Sequence, residues 1–347
     1  MNVAIIYNEP VAGKPDSEDV LDEVRVVVHA LTELGHSHKL FPVRSGTGSG
    51  KNGTSGGGQK TSFSLNETIF YLILKLKKYK PDVIFNLVES INDEPVYQQF
   101  LPLLLDHLKY PFTGSGYGTI LTTSDKSISK MLMKGFNILT PEFNEYRGIR
   151  EEITVPPPWI VKPSLEDASV GIDESSVFHE KSTLRYALPY IYERHGKQPL
   201  IIEQYIQGRE FNVSLLETGS GTVKVLPVSE IVFHEWPVET PMIVGYKAKW
   251  DKKSFEYTHT TRRFNPTDVR IDVLQSTALK CWKVFKLNGY ARVDMRISES
   301  NEVYVLEMNA NPCISPDSGF VAALAEAGHN TTYLIKSLID AAKKNYE

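Results

Sequence analysis

Residues 289–319 read GYARVDMRISESNEVYVLEMNANPCISPDSG. Side-chain type alternates on both flanks of a polar turn, Ser298 to Glu302, which predicts two short strands joined as a hairpin. Period-two geometry puts Arg292 and Asp294 on one face of the first strand, and Glu307 and Asn309 on one face of the second. A hairpin centred near Ser300 brings Asp294 roughly opposite Leu306 or Glu307. Two carboxylates, an amide and a guanidinium then share one patch. Hard oxygen donors of that kind suit Mg²⁺, which takes few protein ligands and keeps water and phosphate oxygens. Left unpaired, the carboxylates would repel and raise one another's pKa. An exposed hairpin face with ordinary charges is the bland alternative. Asn309, Asn311 and Pro312 directly after the second strand, with Arg292 alongside, favour the binding site.

The rest of the chain sets bounds on that site. At 347 residues there is room for two or three domains with sizeable cores. A hydrophobic content of 41% and a charged content of 23% are ordinary for a soluble globular protein. Thirty-eight basic against 42 acidic residues, net −4, give no reason to expect nucleic acid or an acidic membrane as partner. Cys281 and Cys313 offer neither a disulfide framework nor zinc-ligand spacing. The N-terminus enters a strand-like run at once, without the regions of a signal peptide. No apolar run approaches the ~18 residues of a membrane span. The expectation is a cytoplasmic enzyme.

Val3 to Tyr7 reads as a buried strand, Asp19 to Leu34 as a helix ending at Gly35, and Leu40 to Val43 as a second strand. A strand–helix–strand unit of this length implies a parallel sheet with right-handed crossovers. Residues 44–60, RSGTGSGKNGTSGGGQK, invite comparison with a Walker A phosphate loop. Ser45 stands where the first glycine belongs and Asn52 follows Lys51, so the stretch is taken as a flexible insertion, 44–62. A helix at Thr68–Tyr79, a strand at Asp82–Leu87 and a helix at Val96–Leu108 follow, the last with Pro102 as a kink or a first-turn residue. The next unit has a helix at Lys126–Lys134, a strand at Trp159–Pro163, a helix at Ser182–Glu193 and a strand at Leu200–Gln204. Lys162, at the end of an apolar strand, needs a phosphate or carboxylate partner unless it snorkels to the surface. Antiparallel-looking strands at 210–216 and 223–228 lead to a basic, aromatic loop, 236–264, which fits a lid over phosphate better than a single-stranded nucleic-acid site. His36 and His38 have no third donor nearby and are expected in solvent.

VDM(x12)EMNANP, IVKPSLEDASVG, IIEQYIQGREF, YKAKW and FTGSG(x9)DK occur in the order and at the spacing of D-alanine–D-alanine ligases, within the ATP-grasp superfamily. The likeness covers nearly the whole chain outside the insertion. It implies an α/β (α+β) architecture: an N-terminal parallel-sheet domain at 1–122, then two ATP-grasp subdomains, 123–208 and 209–347, with nucleotide between them. By this resemblance Lys126 and Lys162 contact phosphate, Glu203, Gln204, Tyr205 and Ile206 form the adenine hinge, and Glu210 holds the ribose. Lys249 is similar to the lid lysine on the γ-phosphate. Asp294, Glu307 and Asn309 match the ligands of two magnesium ions, for which manganese is an alternative, and Arg292 the arginine facing the transferring phosphate. Glu18 resembles the glutamate on the first substrate's ammonium, and Ser318 falls where the second substrate's carboxylate is gripped. The implied reaction joins two small amino acids through an acyl phosphate, releasing ADP and phosphate, as in peptidoglycan biogenesis, and the implied assembly is a homodimer.

This chain departs from the pattern at the amino-acid end. Glu89 stands where these ligases carry histidine, Asp167 and Ala168 replace glycine and serine, Trp250 a tyrosine, Gln204 a lysine and Cys313 a glycine. The ATP and magnesium positions are intact. Alternatives are therefore an ATP-grasp dipeptide or amide ligase with non-alanine substrates, or a non-catalytic nucleotide-binding regulator.

Overall fold

A computed structural model describes residues 1–347 except 12, 44–64, 92–93, 150–151, 167–168 and 347. The insertion read at 44–62, together with Asp167 and Ala168, thus lies outside the described residues. The first unit runs β1 (Asn2–Asn8), α1 (Pro15–Glu18), α2 (Val20–Glu33), β2 (Ser37–Val43), α3 (Leu65–Tyr79), β3 (Val83–Leu87), α4 (Phe100–His107) and α5 (Tyr117–Ser124). Its sheet is parallel in the order β2–β1–β3, with Ile5 opposite both Leu40 and Phe85. The helix expected over Asp19–Leu34 is α2, preceded by a separate turn that starts at Pro15 and ends at Asp19. A 3₁₀ turn, Pro95–Tyr97, precedes α4 and puts Pro102 in that helix's first turn, where a missing N–H costs no intrahelical bond. His36 and His38, expected in solvent, are half buried at the start of β2.

The middle unit holds α6 (Lys126–Gly135), β4 (Phe143–Tyr146), β5 (Trp159–Pro163), β6 (Val177–Phe178), α7 (Lys181–Arg194) and β7 (Leu200–Gln204). Its antiparallel sheet has the order β4–β7–β5–β6. The remainder is β8 (Gly208–Glu217), β9 (Val223–Val225), β10 (Ser229–Phe233), α8 (Tyr246–Trp250), α9 (Phe255–Thr258), β11 (Thr260–Phe264), α10 (Ile271–Phe285), β12 (Tyr290–Ser298), β13 (Val303–Asn309), α11 (Gly319–Glu326) and α12 (Thr331–Lys344). Those strands form a six-stranded antiparallel sheet, β11–β10–β8–β12–β13, with β9 also on β8.

The stretch expected as a loop, 236–264, carries α8 and α9 and ends in a strand. TTRRF pairs with β10, setting Arg263 opposite Glu230. The buried Glu230 carboxylate takes Arg263 at 2.6 Å and Arg209 at 2.6 Å, so part of the basic character of this stretch serves sheet pairing. Leu334, Ile335, Leu338 and Ile339 of α12 share one buried core with Val3 and Ile5 of β1, Val27 and Leu31 of α2, and Phe85 of β3. The C-terminal helix therefore closes one face of the N-terminal sheet.

Candidate active site

The hairpin pairs Asp294 with Glu307 and Arg292 with Asn309. Asp294 Oδ1 accepts from Arg292 Nε at 2.7 Å and from Asn212 Nδ2 at 2.7 Å, while Oδ2 accepts from Arg292 Nη2 at 2.8 Å and Asn309 Nδ2 at 3.2 Å. Desolvation would lower the pKa of the Arg292 guanidinium, but the charge and hydrogen bonds of Asp294 outweigh it and raise that pKa. At Glu307 desolvation pushes upward, yet Lys126, Lys249, Lys162 and Arg292 together bring the carboxyl down to about 2. Two adjacent carboxylates with an amide beside them are hard oxygen donors, and a divalent ion such as Mg²⁺ fits that set.

Local capping explains why Asp125 precedes Lys126. Asp125 Oδ1 accepts from the backbone N–H of Ser127 at 2.9 Å and of Ile128 at 3.1 Å, starting α6 at Lys126. Lys126 is thereby held 3.9 Å from Glu307 Oε2 and also donates to the Glu166 carbonyl. One turn later Lys130, fully buried, lies 3.2 Å from Glu203 Oε1, and Lys162 donates to Glu203 Oε2 at 2.9 Å. The partner that Lys162 needed is thus a carboxylate of this chain. Burial drops the Lys130 ammonium to about 8 against the opposing pull of Glu203. Glu203, 1% exposed, resists its own desolvation through Lys130 and Lys162 and stays below the usual carboxylate range.

Gln204, Tyr205 and Ile206 carry the chain from β7 toward β8. The Gln204 N–H donates to the Glu142 carbonyl at 2.9 Å, and that of Tyr205 to the Pro158 carbonyl at 2.7 Å. Arg296 organises the next turn. Its guanidinium donates to the Ile206 carbonyl at 2.8 Å and Glu210 Oε2 at 2.9 Å, reaches the Met242 carbonyl, and lies 5.0 Å from the Tyr205 ring centre. Lys249 projects from α8, where desolvation and then Arg292 hold its pKa below the ordinary lysine value.

Glu18 is exposed and accepts from the Gly13 N–H at 2.9 Å, whereas its neighbours point inward. Cys313 Sγ donates to Asp19 Oδ2 at 2.9 Å, and both lie beside Glu23, which is 5% exposed. Desolvation, then Glu89 and Asp19, raise the Glu23 pKa well above its ordinary value. Desolvation, then Glu23 and Asp19, do the same to the Cys313 thiol. Ser318 caps α11, its Oγ accepting from the Val321 N–H at 3.3 Å. The FTGSG turn meets the hairpin where Gly114 has φ +85° and a Cβ would stand 2.3 Å from Asn311 Oδ1, so only glycine fits.

Glu18, Lys162, Glu203–Ile206, Glu210, Lys249, Arg292, Asp294, Glu307, Asn309 and Ser318 all line one cavity of about 1050 Å³. Lys126 sits just behind its wall. Reading the sequence missed Arg296, although it continues the alternation of Arg292 and Asp294, and Asn212, two residues after Glu210 in the facing strand. Lys130 was legible as i+4 from Lys126 on one helix face, but its partner Glu203 was not.

A family model described as "D-ala D-ala ligase C-terminus" matches residues 138–340. The chain is 32% identical over 273 residues to the uncharacterized protein y4sG of Sinorhizobium fredii, covering 76% of this chain and 75% of that one. Over 316 residues it is 28% identical to a D-alanine–D-alanine ligase of Thermotoga maritima, covering 91% and 90%. The fold matches the crystal structure of a Bacillus anthracis D-alanine–D-alanine ligase complexed with ATP, with a TM-score of 0.72 at 20% identity, over 100% of this chain and 98% of the other. This chain belongs to the D-alanine–D-alanine ligase family, with an ATP-grasp fold.

Proposed function

We propose that the protein is an ATP-dependent carboxylate–amine ligase that joins two small amino acids, D-alanine being the first pair to try. The observation that carries this reading is the convergence of Lys162, Lys249 and Arg292 on Glu307, beside Asp294, in one cavity wall, with Lys126 behind that wall at 3.9 Å from Glu307. A carboxylate is a poor acyl donor, because its charge repels nucleophiles and oxide leaves badly. Phosphoryl transfer from ATP gives an acyl phosphate, and attack by an amine then forms the amide and expels phosphate, with ADP as the other product.

The protein's share is positioning and charge neutralisation. Lys126 and Lys162 hold phosphate oxygens, Lys249 covers the γ-phosphate from α8, and Arg292 faces the group in transfer. Residues 203–206 receive the adenine and Glu210 the ribose. Asp294, Glu307 and Asn309 would hold magnesium, which supplies Lewis-acid neutralisation of phosphate charge when bound. Glu18 meets the first substrate's ammonium and Ser318 the second substrate's carboxylate. No side-chain nucleophile is needed, in keeping with a Cys313 that remains a thiol. The reading includes a homodimer and a cytoplasmic setting; sedimentation velocity reads the first.

A screen of D- and L-amino-acid pairs with ATP, following phosphate and amide together, tests the reaction. Activity with D-alanine supports the leading reading, and activity confined to other pairs selects a different dipeptide ligase. Hydroxamate formed with hydroxylamine but unaffected by amines would make it an acyl kinase instead. Glu307→Gln should lower turnover by about 10²-fold or more with the fold intact. Full activity in that variant would refute the metal assignment.

A further inference from the structure

Arg262 is a cation that the phosphate site leaves unused. It alternates on β11 with Arg263, which is committed to Glu230. Its own side chain lines the cavity together with Arg292, Ser318 and Gly319. The guanidinium donates from Nη1 to the Asp317 carbonyl at 3.2 Å. A methyl placed on Gly319 would stand 3.6 Å from Arg262 Nε, so the group lies directly against the start of α11.

Nearby acids do not neutralise it. The Asp317 carboxylate leans to Lys252 at 3.5 Å, and Asp294 is taken by Arg292 at 2.7 Å. Among the described residues no carboxylate forms an ion pair with Arg262. Arg262 is exposed toward the cavity, and desolvation and then Arg292 push its pKa below the ordinary guanidinium value, with the Asp317 charge opposing them only in part. A guanidinium beside another guanidinium, next to the positive end of a helix, generates a potential that an anion would relieve. The planar fork suits a carboxylate bound through two parallel hydrogen bonds.

We infer that Arg262 binds the carboxylate of the amine-donating substrate against the start of α11, so that a good acceptor must carry both an amine and a carboxylate. This rests on the ligase reading above and adds a charged group where that reading had the Ser318 hydroxyl. An oxygen of the transferring phosphate is the other anion within the cavity, and the two sources predict different kinetics.

The test uses the full chain with Arg262→Gln and Arg262→Lys, an amino-acid acceptor and the same acceptor as its carboxamide. Arg262→Gln should raise KM for the acceptor about 10- to 100-fold, the worth of a charged hydrogen bond, while KM for ATP moves less than about twofold. It should also erase most of the preference for acid over carboxamide, which a purely structural role would leave in place. Arg262→Lys should restore part of that preference. A rise in KM for ATP with the acceptor KM unchanged would put the guanidinium on phosphate and overturn the inference, as would no change in either. Should Arg262→Gln fail to fold, an Arg262→Lys variant with wild-type acceptor KM and discrimination would overturn it equally. Wild-type protein that makes no amide from any pair would overturn the ligase reading itself, and this inference with it.

Discussion

At the scale of single residues, Glu23 shows what burial does to a carboxyl without a cation. Asp19, Cys313, Glu89 and Tyr290 are the titratable groups around it, and none of them is basic. Its folded pKa lies well above 4.5, so the native state holds a proton that the unfolded chain would release. The stability linked to this group is complete below that unfolded value and is lost as pH rises through the folded pKa. Glu23→Gln keeps the shape and removes the ionisation. It should raise the melting temperature at about pH 8, leave it nearly unchanged at about pH 4, and flatten the slope between them. Parallel thermal melts at the two pH values check this, and an unaltered slope would show that Glu23 is not the linked group.

At the scale of elements, α8 is too short to persist unaided, since a single helical turn does not repay its nucleation. It is held from outside. The Tyr246 N–H donates to the Ile172 carbonyl at 3.0 Å, Ser169 Oγ to the Val244 carbonyl at 2.7 Å, and Tyr246 Oη to Asp16 Oδ1 at 2.8 Å. Tyr246 opens the same turn that Trp250 closes. Lys249 rides on the same turn, so loosening Tyr246 should loosen the phosphate contact. Tyr246→Phe and Asp16→Ala should each cut amide formation several-fold and increase phosphate released without amide, as water enters. The double variant should be little worse than either single one, a coupling of about 1 kcal/mol. Fully additive losses would mean that the two residues act separately.

Across the whole molecule, the N-terminal sheet and the C-terminal helix share one core. Leu338 is fully buried there, and its Cδ2 would stand 3.4 Å from a Cβ on Gly289, next to the turn that carries Gly114. Leu338→Ala should cost about 2–5 kcal/mol. Because the core is common, the loss should appear in amide exchange of β1 and β3 as well as in α12, within one unfolding transition. Destabilisation confined to α12 would show instead that the helix unfolds independently.

The hairpin was legible from residues 289–319 because alternation and a polar turn are local properties, and they put Asp294 opposite Leu306 or Glu307, of which the structure takes Glu307. The strand–helix–strand pattern behind the parallel N-terminal sheet was legible for the same reason, whereas Lys126, Lys162 and Lys249 were picked out by their resemblance to family motifs and the Asp125 cap was not read. What could not be read were partners far apart in the chain. Glu203 under Lys130 and Lys162, Tyr246 on Asp16, Cys313 on Asp19, Arg262 beside α11, and α12 against β1 all depend on how separate elements pack. Periodicity tells which side of a strand or helix a residue occupies. Which surface meets that side is settled when the whole chain buries its apolar area at once.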